Sequence, residues 1–321
     1  NMTPLIEAKN LKKYFDTPGG KLHAVDGVSF KIEKGKTMGV VGESGCGKST
    51  LGRTIIHLYE STGGKIYFKG EDVTRVNARK LRKLRERMQF IFQDPFSSLN
   101  PRMTVEQVIQ EPLILSRRYT RKETAEETDR LMELVGVDHR LRLSYPHELD
   151  GGRRQRVGIA RALALNPEFI VCDEPVSALD VSIRAQILNL LQDLQETYGI
   201  AYVFITHDLS VARHISDEIC VMYLGQFVEI SPSKELFKMP LHPYTKALLS
   251  AIPSVDIHHK KERIILKGEI VSPINPKPGC RFASRCLYAA EVCSQPQNLE
   301  EVLPGHFVAC CRVRETNDLH A

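Results

Sequence analysis

Between residues 5 and 235, short runs rich in Val, Ile, Leu and Phe alternate with stretches in which apolar positions recur every three or four residues. The short runs predict strands at 5–9, 28–32, 37–41, 65–68, 88–92, 169–172, 202–206, 218–222 and 227–230. The periodic stretches predict helices at 48–57, 122–135, 153–165, 182–197 and 209–214. Apolar strands alternating with helices imply an α/β core around a buried, largely parallel sheet. No helical stretch separates the strands before Thr37, so an antiparallel β portion is expected beside that sheet. The texture changes near Pro232. Pro240, Pro243 and Pro253 punctuate a short predicted helix at 244–250, and Pro273, Pro276 and Pro278 follow within six residues of one another. A boundary is therefore expected between Ile230 and Ala251. It separates a first domain at 2–240, with a helical subdomain near 95–165, from a second at 241–321.

Composition narrows the class. The 321 residues are 42% hydrophobic and 26% charged, as in a soluble globular protein, which argues against disorder as the main state. The longest unbroken apolar runs, 200–205 and 219–224, are far shorter than the ~20 residues of a spanning helix. The first 25 residues contain no apolar run of the kind a signal peptide carries, so a reducing, cytoplasmic setting is expected. The net charge of +5 permits nucleotide, nucleic acid or membrane surface as partner and selects none. The basic run 79–87 reads as a solvated helical face. No aromatic residues interleave it, so a stacking platform for single-stranded nucleic acid is not supported.

The chemistry begins at residues 42–49, GESGCGKS, which match G-x-x-x-x-G-K-[ST] between a predicted strand and a predicted helix. Gly42, Gly45 and Gly47 allow the loop, with Glu43, Ser44 and Cys46, to turn backbone N–H groups toward phosphate oxygens at a helix N-terminus. Lys48 is expected to reach the β- and γ-phosphates of ATP, and Ser49 to ligate Mg²⁺ with Thr50 nearby. Cys46 is either a reactive thiol or simply a residue small enough for the loop. Residues 169–174, FIVCDE, describe a buried strand that delivers two carboxylates to its C-terminal end. Asp173 is the expected second support of Mg²⁺, and Glu174 the residue that orients or deprotonates an attacking water.

Between these motifs, residues 148–168 read ELDGGRRQRVGIARALALNPE. With this segment the chain resembles the nucleotide-binding subunit of ATP-binding-cassette (ABC) transporters over nearly all of residues 5–235. The resemblance implies a Q-loop at Gln93, 45 residues after Lys48, acting on Mg²⁺ and water. It implies a D-loop at 177–180 with Ser177 and Asp180, and a switch histidine at His207, 33 residues after Glu174, contacting the γ-phosphate. It also implies an aromatic residue stacked on adenine, Phe15 by spacing, with Tyr14 as the alternative. The family mechanism closes two cassettes head to tail, with ATP between one chain's P-loop and the other's signature. The family signature L-S-G-G-Q is altered here to Leu149, Asp150, Gly151, Gly152 and Arg153. A carboxylate stands where a serine hydroxyl would meet the partner's γ-phosphate. Either Arg153 offsets that charge or Asp150 turns away to cap the following helix.

Residues 241–253, LHPYTKALLSAIP, followed by PKPGCRFASRC, resemble the C-terminal extension of oligopeptide and dipeptide importer ATPases. That branch implies membrane permease subunits, a second related ATPase, an extracytoplasmic peptide-binding protein acting indirectly, and a peripheral place on the cytoplasmic face of the cell membrane. Nickel or glutathione importers, and soluble ABC proteins acting on nucleic acid or ribosomes, are the alternatives. Of eight cysteines, Cys280, Cys286, Cys293, Cys310 and Cys311 crowd the last 42 residues. Four thiolates suit zinc or an iron–sulfur cluster, and the absence of a C-x₂-C pair favours [4Fe–4S]. In the branch pattern V-A-C, Cys310 is the fourth ligand and Cys311 the spare. The tail holds few large apolar side chains, and its cysteines lie far along the chain from residues 42–49. A structural role, supported by metal, is therefore expected.

Overall fold

The computed structural model describes residues 3–94, 98–252, 263–266, 268 and 272–319. The chain divides into two compact units. The first comprises residues 1–32, 37–74 and 204–321, and the second residues 33–36 and 75–203.

In the first unit, β1 (Ile6–Thr17) and β2 (Gly20–Ile32) form an antiparallel hairpin, and β3 (Thr37–Val41) runs into the helix Lys48–Ile55. β4 (Gly63–Phe68) and β5 (Glu71–Asp72) complete a sheet of order β2-β1-β4-β5. The hairpin is far longer than the short apolar runs suggested. Register shifts after Ala8, Leu11 and Lys13 break the simple alternation while backbone pairing continues to Thr17 and Gly20.

The second unit holds β6 (Met88–Ile91) parallel to β7 (Phe169–Asp173). Every residue of β7 is buried, which accounts for its continuous apolar run. Its helices include Arg121–Leu134, Gly151–Leu163 and Val181–Tyr198. One helix was not expected. Val105–Ser116 starts at a capping box made by Thr104 and Gln107, and continues through Pro112. The basic run is the helix Ala78–Arg87, whose one buried residue is Leu84, as a solvated face requires. β8 (Ala201–Thr206) contains the division between the units.

Returning to the first unit, β9 (Glu218–Tyr223) lies parallel to β3, and β10 (Gln226–Pro232) pairs antiparallel with β9. After the helices Ser233–Lys238 and Pro243–Ser250, β11 (Glu300–Leu303) and β12 (His306–Val308) extend the same sheet, with β12 paired to β10 at Glu229–Val308 and Ile230–Phe307. Pro253 of the tail motif and Pro95 lie outside the described residues.

The tail does not rely on a core of its own. Leu241, Val308 and Val313 form a small cluster, but the larger anchor is Phe282, 1% exposed, whose ring meets those of Tyr223 and Tyr244 at 5.3 and 5.4 Å. Glu229 is fully buried. Its carboxylate accepts the backbone N–H groups of Leu241 (2.7 Å) and His242 (2.9 Å), and lies 2.6 Å from His306 Nε2. Burial pushes His242 down to about 4. Its neutral Nδ1 therefore accepts the Tyr244 N–H and caps the helix Pro243–Ser250.

Candidate functional site: a phosphate-binding loop and its carboxylate partners

The loop that follows β3 is built around glycines in backbone conformations other residues rarely adopt. Gly42, Gly45 and Gly47 have φ of 155°, 77° and 107°. A Cβ on Gly42 would lie 2.2 Å from the Met222 carbonyl oxygen, and one on Gly47 2.0 Å from that of Ala24. A Cβ on Gly45 would meet nothing within 4 Å. The loop is thus packed on one side by β2 and β9 and open on the other, the shape a phosphate chain requires.

Lys48 is 5% exposed, and its ammonium donates to the carbonyls of Gly42 (2.7 Å) and Glu43 (2.9 Å). Ser49 and Thr50 are half-buried in the first turn of the helix. Ser44 is exposed. Cys46 is 3% exposed, and burial raises its thiol, partly countered by the Lys48 charge. Burial of this kind favours the small loop-filling residue over the reactive thiol.

The aromatic candidates differ in their engagement. Tyr14 donates its hydroxyl to Asp26 and stacks on His23 with ring centroids 3.9 Å apart. Phe15 is half-buried, edge-on to Tyr59, with the Lys13 ammonium 4.8 Å from its ring centroid. His207 is exposed just after β8, ahead of Asp208, which caps the helix Leu209–Ile215 by accepting from Ser210 and Val211.

In the second unit, Asp173 is fully buried at the end of β7. Glu174 follows in the left-handed region (φ 46°), a strained backbone position typical of functional turns. The Gln93 side-chain amide donates to Glu174 Oε2 at 3.0 Å, so the two candidate water-handling groups are in direct contact. Ser177 donates its hydroxyl to the Glu174 carbonyl at 3.1 Å, and Asp180 stands at the N-terminus of Val181–Tyr198.

Asp150 turns back on its own helix. Its carboxylate accepts the Arg153 N–H at 2.8 Å as the N-cap of Gly151–Leu163, and Arg153 Nε lies 3.3 Å from its other oxygen. Leu149 is buried, and a Cβ on Gly152 would fall 2.6 Å from Ile183.

The cysteines depart from expectation. Cys280, Cys286, Cys293, Cys310 and Cys311 line one small enclosed cavity. Burial pushes the Cys280 and Cys310 thiols up to about 11, so both are protonated at neutral pH. Cys311 lies beside Cys293 in that lining. Among the described residues no group of three or more Cys, His, Asp or Glu is arranged to hold a metal ion. The described residues thus show no assembled ligand set for a [4Fe–4S] cluster or for zinc.

Sequence reading also missed contacts that the tail makes with the loop. Arg285, between Cys280 and Cys293, pairs with Glu43 at 2.7 and 3.1 Å. The Tyr244 hydroxyl accepts the Glu43 N–H at 2.9 Å. No local sequence signal marks either contact, since more than 200 residues separate the partners.

A glycine loop capped by a buried lysine, with paired carboxylates ending a buried strand, defines a P-loop nucleotide hydrolase. Comparison with known proteins specifies which. Residues 25–177 match the ABC transporter family, and residues 228–293 match the C-terminal region of oligopeptide/dipeptide transporters. The chain is 51% identical to the oligopeptide transport ATP-binding protein AppF of Bacillus subtilis, over 97% of this chain and 98% of that one. It is 48% identical to the dipeptide transport ATP-binding protein DppF of Haemophilus influenzae, over 97% of each. An ATP-binding cassette solved as a post-hydrolysis dimer with ADP and phosphate is 30% identical, with a TM-score of 0.66, over 71% of this chain and 98% of that one. The chain belongs to the ABC transporter ATPases, in the branch that carries the oligopeptide/dipeptide C-terminal region.

Proposed function

We propose that the chain is the energy-coupling ATPase of a peptide importer, peripheral on the cytoplasmic face of the membrane. The observation that carries this reading is the match of the tail at 228–293, beyond the general cassette, to oligopeptide/dipeptide transporters. No helix among the described residues is long and apolar enough to cross a membrane, so translocation falls to permease subunits. The second unit offers them a groove of about 640 Å³ between the helices Ala78–Arg87 and Val105–Ser116. Pro112, Ile114 and Leu115 form its apolar wall, and Arg82 and Arg85 its basic one.

In this reading the loop amides and Lys48 bind the phosphates, and Phe15 stacks on the adenine. Mg²⁺, held by Ser49 and Gln93 with Asp173 in support, would offset phosphate charge. Glu174 takes the proton of the attacking water, Gln93 orients that water, and His207 contacts the γ-phosphate. Ser177 and Asp180 serve the facing cassette. In the chain assembled with permeases and a peptide-binding protein in proteoliposomes, di- or oligopeptide should stimulate ATP turnover severalfold. Stimulation by nickel or glutathione instead, or turnover coupled to nucleic acid or ribosomes, would refute the peptide assignment. A [4Fe–4S] cluster remains a proposal on the shared cysteine cavity alone, and it would give the same complex a brown colour and stoichiometric iron.

The altered signature favours a second, related ATPase as partner. A homodimer would carry Asp150 at both sites, whereas a heterodimer confines it to one. Asp150→Ser retains a good N-cap and removes the carboxylate, so stability should change by less than about 1 kcal/mol. Turnover at the partner's P-loop, isolated by Glu174→Gln in this chain, should rise. ATP-driven homodimerisation with hydrolysis at both sites would leave Asp150 as a cap and nothing more.

A further inference from the structure

We infer that Arg285, carried by the cysteine-bearing turn of the tail, is a positioning residue for nucleotide binding that acts through Glu43. The guanidinium is 8% exposed and grips the Glu43 carboxylate with two nitrogens, at 2.7 and 3.1 Å. Such a forked pair fixes orientation as well as charge. The same peptide is held twice more, because the Glu43 N–H donates to the Tyr244 hydroxyl and its carbonyl accepts from Lys48. Glu43 is therefore clamped by the tail on one side and by the phosphate-binding lysine on the other.

A neighbouring contact on the same turn acts in the same sense. Arg281 pairs with Asp26 and donates to the Leu224 carbonyl. The next residue, Gly225, donates its N–H to the Cys46 carbonyl at 2.8 Å and accepts the Asp26 N–H at 2.8 Å. The turn from Cys280 to Cys286 thus braces the back of the loop at Glu43 and at Cys46. Beside the structural role expected of the cysteines, the same turn therefore contacts the phosphate loop.

The electrostatic consequence is specific. Glu43 places a negative charge in a loop whose ligand is polyanionic. While Arg285 pairs with it, that charge is compensated and directed away from the open side of the loop. Without Arg285 the carboxylate both repels the phosphates and competes for the Lys48 ammonium. The effect belongs to ground-state nucleotide binding, since the hydrogen bonds of Arg285 run to Glu43 and the Tyr223 hydroxyl.

Arg285→Ala in the full chain should raise the MgATP dissociation constant about tenfold, equivalent to about 1.4 kcal/mol. In the assembled transporter the KM for ATP should rise in parallel, with kcat within twofold of wild type. Adding Glu43→Gln should return both constants to within threefold of wild type, because no charge then remains to be compensated. A merely structural role would give no such rescue. Unchanged nucleotide affinity in Arg285→Ala, or a double variant as poor as the single one, overturns the inference. Should Arg285→Ala fail to fold, Arg285→Lys is measured instead. It keeps the charge and loses the fork, so about a threefold rise, again corrected by Glu43→Gln, is expected, and no rise refutes the proposal.

Discussion

Glu174→Gln should leave a chain that binds MgATP with near wild-type affinity and, in the assembled complex, hydrolyses it about 100-fold or more slowly. General base catalysis typically contributes about 10²–10⁴-fold, and a carboxamide cannot accept the water's proton. The substitution isolates that function. Glutamine matches glutamate in shape, and its amide oxygen can still accept from Gln93, whose side chain now lies 3.0 Å from the carboxylate. The two residues are brought together by the parallel pairing of β6 and β7, with Ile91 opposite Cys172. The left-handed backbone at Glu174 then turns the side chain away from the strand. Nucleotide titration combined with single-turnover hydrolysis separates binding from chemistry. Wild-type hydrolysis by the variant would remove Glu174 as the base.

Gly47→Ala should abolish nucleotide binding and destabilise the chain by about 2–6 kcal/mol, the sum of backbone strain and steric overlap. Its Cβ would sit 2.0 Å from the Ala24 carbonyl oxygen, a backbone atom fixed in β2, at a φ of 107°. Gly45→Ala is the informative comparison. Its φ of 77° is also unfavourable to alanine, but its Cβ meets nothing within 4 Å. Only the left-handed penalty of about 1–2 kcal/mol applies there, and the added methyl faces the open side of the loop. Gly45→Ala should lose little stability and bind ATP weakly, whereas Gly47→Ala should be far less stable and bind no nucleotide. Urea denaturation of both variants, read with nucleotide titration, distinguishes them. Equal stability of the two would show that close packing on Ala24 is not what sets the loop.

The parts of the molecule that were legible share a physical property. β3, β7 and β8 are buried at every position, so their apolar runs are continuous and short. The phosphate loop is contiguous in the chain, and its glycines are required locally by backbone angles. Less legible were β1 and β2, because exposed lysines and bulges interrupt their alternation while hydrogen bonds to the neighbouring strand continue. The helix Val105–Ser116 had a readable cap in Thr104 and Gln107, but Pro112 within it obscured the pattern.

Asp150 shows the same division on a smaller scale. Its identity announced an altered signature, and its local chemistry allowed two outcomes. The structure realises both: Asp150 accepts the Arg153 N–H as helix cap, and Arg153 Nε lies 3.3 Å from its other oxygen. The cysteines are a harder case. Their spacing suggested a ligand set, and the fold does bring all five to one cavity, yet no group of three or more is arranged to hold a metal among the described residues. Spacing along a chain does not determine how thiol groups face one another.

By itself, the sequence determined the α/β class, the nucleotide chemistry and the order of the motifs, because each rests on neighbouring residues or on short-period patterning. Only the tertiary structure decided that the tail belongs to the phosphate-loop unit. β12 joins β10, Phe282 packs in the core against Tyr223 and Tyr244, and Arg285 reaches Glu43 across 242 positions of chain. Such contacts are selected by the burial and charge compensation that the folded chain makes possible, and they leave no period or spacing by which they could be read in advance.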